Sequence, residues 1–81
     1  MNLHEWEKLL AEGERLCSEL NGAGHNVKLR IYTTYDGRKG ISFVVYDRRG
    51  NFHKEYFSGI GCPALMHGIL IDNARRILDG E

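Results

Sequence analysis

Three apolar stretches between residues 26 and 58 are separated by two tight-turn signals, Asp36-Gly37 and Asp47-Arg48-Arg49-Gly50. That pattern leaves little room for anything but an antiparallel meander. The first stretch, VKLRIYTTY, alternates Val27, Leu29 and Ile31 with Lys28, Arg30 and Tyr32, the period of a strand with one buried face. A second strand is expected over residues 40–47 and a third over 51–58. Gly50 takes the left-handed position of a three-residue loop.

Each flank of the meander carries a helical period. Leu3, Trp6, Leu10, Gly13, Cys17 and Leu20 recur in steps of three and four, with Leu9 and Leu16 widening the stripe, so a helix is expected over residues 3–20. Asn2 is its natural N-cap and Glu5 completes a capping-box spacing. NGAGHN stops it. Gly13, on the buried stripe, marks a close approach of helix to sheet. After the breaker SGIGCP, Pro63 suits a first helical turn, and a second helix is expected over residues 63–78, closed by Gly80. Met66, Ile69, Leu70, Ala74, Ile77 and Leu78 should face inward, and Ala64 and Ile71 extend the arc toward the first helix, or toward a second copy of the chain.

The fold class is therefore α+β: one small αβββα domain over residues 1–81, with both helices on one face of a three-stranded antiparallel sheet. Burial sets the register of the first hairpin. A type I turn with a bulge at Asp36-Gly37 puts Ile41, Phe43 and Val45 on the same face as Val27, Leu29 and Ile31. A two-residue turn would leave them in water beside Lys28 and Arg30, forgoing about 1.5–3 kcal/mol for each. In the second hairpin, regular pairing outward from Asp47 and Asn51 sets Ile41, Phe43 and Val45 beside Phe57, Glu55 and His53, with Glu55 near a sheet edge within reach of water. Ser42, Val44 and Tyr46 then sit beside Tyr56, Lys54 and Phe52. The solvent face is expected to hold Lys28, Arg30, Tyr32, Val44, Tyr46, Phe52, Lys54 and Tyr56, with Arg48 and Arg49 at its border.

Charge is uneven beneath a formal net charge of zero. Residues 1–25 are acidic, with Lys8 and Arg15 against Glu5, Glu7, Glu12, Glu14 and Glu19, while most of the cations lie in residues 26–57. Such a division orients a partner without producing a general polyanion binder. The composition is globular, no apolar run could span a bilayer, no charged start precedes an apolar stretch, and Cys17 and Cys62 match no disulfide framework. A soluble cytoplasmic protein, monomer or homodimer, is expected.

Motifs for chemistry are sparse. DGRKG is a turn rather than a phosphate loop, Cys17 lies on an apolar stripe, and His4, His25, His53 and His67 lack the spacing of a zinc site. No enzyme activity, cofactor or metal is expected. The element order is similar to that of the double-stranded-RNA-binding domain. That family contacts phosphates through lysines opening its second helix, whereas this chain reads CPALMHGILI there, so no residue carries over. The expected function is a non-catalytic protein-binding module using Lys28, Arg30, Tyr32, Tyr46, Arg48, Arg49, Phe52, Lys54 and Tyr56 against an acidic partner. Rings supply area, and cations supply steering. Small inhibitors and accessory proteins of phages and mobile elements, anti-CRISPRs among them, share this size and simplicity. The alternative is a nucleic-acid binder whose rings stack on bases while its lysines and arginines meet phosphates.

Overall fold

The computed structural model describes residues 3–80. The chain runs α1 (Leu3–Gly22), β1 (Asn26–Thr33), β2 (Lys39–Tyr46), β3 (Phe52–Phe57) and α2 (Pro63–Leu78), with the strands antiparallel in the order β1-β2-β3. The αβββα order is thus as the sequence patterns require. The expected cap Asn2 lies outside the described residues. α1 packs on β1 and on α2, and α2 reaches β3, so both helices cover one face of the sheet.

α1 ends where Gly24 adopts φ 97° and the His25 N–H reaches back to the Leu20 carbonyl at 3.1 Å, the αL closure that glycine allows. Its most buried residues are Leu9, Gly13, Leu16 and Leu20. The inward stripe is therefore centred one position away from the expected one, and Leu3 is 71% exposed. α2 lies beside α1 as well as the sheet, and that draws Leu9 and Leu16 inward. A Cβ on Gly13 would stand 3.2 Å from Leu29 Cδ1, so the helix comes down onto the sheet at this point. On α2 the buried positions are Met66, Leu70, Asn73, Ala74 and Ile77, while Leu78, expected inside, is exposed.

β1 pairs Val27 with Val45, Leu29 with Phe43 and Ile31 with Ile41, the bulged-loop register. Gly37 supplies the positive φ of 88°, and the Thr34 N–H donates to the Arg38 carbonyl at 2.8 Å. Ile41 and Phe43 are fully buried at the centre of a core that includes Leu20, Met66 and Leu70.

The second hairpin departs from expectation. Tyr46 pairs with Phe52, but Val45 pairs with Lys54, so a β-bulge absorbs His53. Beyond it every side chain of β3 changes face. Tyr56 pairs with Phe43 and is buried in the core, and Lys54 lies on the helix side with its Nζ 4.8 Å from the Tyr56 ring centre. Glu55 and Phe57 move to the open face. An unbulged strand would have set the Glu55 carboxylate under the helices and left the Tyr56 ring in water. The bulge reverses both at the cost of one irregular ladder position.

Candidate binding face

The face of the sheet away from the helices divides into three bands. The middle band is a polar network. Glu55 accepts from Ser42 Oγ at 2.6 Å and from Arg30 Nε at 2.8 Å, across all three strands. Ser42 is fully buried and Val44, expected in solvent, is 7% exposed. Long neighbouring side chains therefore already roof this part of the face. The Ser42 hydroxyl, and next the Arg30 guanidinium, hold the Glu55 carboxyl below the usual glutamate range. The stability this confers is present above the ordinary glutamate range and is lost as pH falls through the lowered folded value. Wild type should exceed Glu55→Gln by about 1 kcal/mol at neutral pH, mostly from the hydroxyl bond because Arg30 is half in water. Urea titrations on both proteins should show that gap closing in acid.

The band near the β1–β2 loop is aromatic. Tyr32 and Phe57 meet edge to face with centroids 5.3 Å apart, and Tyr32 lies across its cross-strand partner Gly40. A Cβ at Gly40 would fall 2.3 Å from the Tyr32 ring, so glycine is what lets the ring lie flat. The remaining band, near the β2–β3 turn, holds Lys28, Tyr46 and Phe52. Lys28 Nζ stands 5.5 Å from the Tyr46 ring centre, and Phe52 is 62% exposed. Arg48 and Arg49 project from the turn beside it, which Asp47 braces by accepting from the Arg49 and Asn51 N–H groups at 2.9 Å.

Of the nine residues expected to form the site, Lys28, Arg30, Tyr32, Tyr46 and Phe52 share the open face, with Arg48 and Arg49 at its end. Lys54 and Tyr56 do not, because of the bulge. Tyr56 lies in the core, with Arg76 as well as Lys54 against its ring. Phe57, 50% exposed, and Glu55 take their places on the face. Sequence reasoning missed both, although a test of which β3 residue deserved burial would have found them.

Elsewhere, Leu3, Trp6, Gly37, Arg38, Lys39, Ile60 and Gly61 line an open cleft of about 510 Å³. Cys17 and Cys62 are free thiols. Burial raises the Cys17 pKa, which makes its thiol a poor nucleophile. Among the described residues no group of three or more His, Cys, Asp or Glu side chains is placed to hold a metal ion, and no helix is long and apolar enough to cross a membrane.

The arrangement is that of a small αβββα domain with an aromatic and basic open sheet face. No protein-family profile matches the chain, and no solved structure does. A curated relative, adenylyltransferase and sulfurtransferase UBA4 of Meyerozyma guilliermondii, is 33% identical over 87 aligned positions, covering 83% of this chain and 20% of that protein. The chain thus spans about a fifth of the length of the curated relative it matches.

Proposed function

We propose that the chain is a non-catalytic protein-binding module whose contact surface is the open sheet face, centred on Lys28, Tyr46 and Phe52 and bordered by Arg48 and Arg49. The observation that carries this reading is the exposure of Phe52 and Phe57 on one sheet face that no helix covers. Exposed rings with cations beside them match the composition of interface centres, where aromatic residues and arginine are enriched. Arg30 is balanced by Glu55, but Lys28, Arg48 and Arg49 have no carboxylate within ion-pair distance among the described residues, so an acidic partner surface complements them. Covering such a surface makes the module an inhibitor where that surface is a working one, and an accessory subunit otherwise. The likeness to a fifth of an adenylyltransferase and sulfurtransferase fits a non-catalytic segment as readily as a catalytic one, and no activity is carried over from it.

The test is a pull-down from the native host followed by titration of the captured protein. Lys28→Glu combined with Phe52→Ala should weaken binding at least 100-fold, since hot-spot rings and reversed charges each cost about 2 kcal/mol or more. Both side chains are exposed, so the fold should persist. Glu14→Lys, on the outer side of α1, should leave binding unchanged. If the double variant binds as wild type does, the open face is not the contact surface. Binding to single- or double-stranded nucleic acid that falls steeply with salt would instead favour the nucleic-acid reading.

A further inference from the structure

We infer that the cleft beside the first turns of α1 binds a small molecule with a flat apolar body and one carboxylate. Three segments meet there: the start of α1, the β1–β2 loop with the first residue of β2, and the β3–α2 loop. Leu3, Trp6 and Ile60 supply the apolar lining. Gly37 and Gly61 contribute backbone alone, and about 510 Å³ stays open between these segments, within the range of small-molecule sites. Trp6 is half-buried: it packs against the core and also lines the cleft. Leu3 is 71% exposed although its place in the helical period suits it to burial. An apolar side chain and an indole ring left in water on one concave surface are stabilised when a flat apolar group covers them.

The polar part of the lining decides the charge of the occupant. Arg38 and Lys39 are the charged residues there, and among the described residues no acidic side chain lines the cleft. Arg38 Nε donates to the neighbouring Asp36 at 3.0 Å, which offsets one cation and leaves the Nη groups of the guanidinium to a ligand. Lys39 has no carboxylate within ion-pair distance among the described residues. Two cations against one carboxylate leave one positive charge, and a monoanion complements it. A carboxylate suits both donors, since it accepts from a guanidinium along two N–H bonds and from an ammonium as a point charge. The groove between the two helices differs in kind. It is lined by Glu5 and Glu12 as well as Lys8 and His67, so both signs are present and no ligand charge is selected. None of the residues that line the cleft belongs to the open sheet face, so the two surfaces are separate.

The test is a fluorescence titration. Trp6 is the single tryptophan of the chain, so its emission reports this cleft alone. Hydrocinnamate, a phenyl ring with one carboxylate, should change that emission saturably at millimolar concentration or below, with one molecule bound per chain. Hydrocinnamyl alcohol, which has the ring without the charge, should bind at least tenfold more weakly, because a charge-assisted pair is lost. Arg38→Gln combined with Lys39→Gln should weaken the acid at least tenfold and abolish the preference for it over the alcohol. Both side chains are exposed, so the fold should persist, which circular dichroism checks. Ile60→Ala should weaken acid and alcohol alike, and Lys28→Glu on the open face should change neither. The inference is overturned if hydrocinnamate produces no saturable change at millimolar concentration. It is equally overturned if the alcohol binds as tightly as the acid, or if the double variant keeps the preference. These outcomes are independent of whether the open face binds a foreign protein.

Discussion

Tyr56→Ala should cost the domain about 3–5 kcal/mol. The extra residue at His53 brings this ring to the helix side of the sheet, opposite Phe43, where it is buried with Lys54 and Arg76 beside it. Urea unfolding measures the loss. Deleting His53 should cost far less, because the shortened strand pairs regularly, Tyr46 with Phe52 and Val45 with Lys54, which leaves Tyr56 inside and Glu55 with its Ser42 and Arg30 partners. His53→Ala should be close to neutral, because the bulge needs an extra residue there and not an imidazole. A Tyr56→Ala variant as stable as wild type would mean that the ring is not held in the core.

Phe43→Ala should lower stability by about 3–5 kcal/mol. The ring is fully buried on the middle strand, paired with Leu29 on one side and Tyr56 on the other. No neighbouring element can collapse into the space, because β2 is held between two strands and roofed by both helices. Domains of this size are stable by about 5–15 kcal/mol, so the variant should melt well below wild type, at roughly 4–8 °C per kcal/mol. Leu78→Ala, at an exposed position near the end of α2, is the contrasting substitution and should change the midpoint little.

These two positions also show how far the sequence could be read. The strand beside Phe43, Val27 to Tyr32, alternates cleanly, and the choice between burying and exposing Ile41, Phe43 and Val45 was large enough to settle the first hairpin. Asp36-Gly37 then closed a turn consistent with it. The second hairpin carried no comparable mark. A bulge has no residue signature of its own, and the three-residue turn before it was read correctly. The burial comparison that settled the first hairpin would have settled this one as well, since Tyr56 and Glu55 compete for a single core position and differ by several kcal/mol in what burial does for them. The error moved two members of the binding face and exchanged them for Glu55 and Phe57. The centre of α1 was misplaced for a different reason. Leu9 and Leu10 both suit an apolar stripe, and only the position of α2, which no local pattern encodes, puts Leu9 innermost. The band of Lys28, Tyr46 and Phe52 was legible throughout because it precedes the bulge.

Hydroxyl-radical footprinting of the captured complex addresses the contact surface most directly, since oxidation reports the exposure of each ring. Tyr46, Phe52 and Phe57 should be oxidised in the free chain and protected on binding, with Phe52, the most exposed of the three, changing most. Trp6, in the cleft at the other end of α1, should react equally in both states. Unchanged oxidation of Tyr46, Phe52 and Phe57 alongside protection of Trp6 would contradict the assignment and move the contact surface to the cleft.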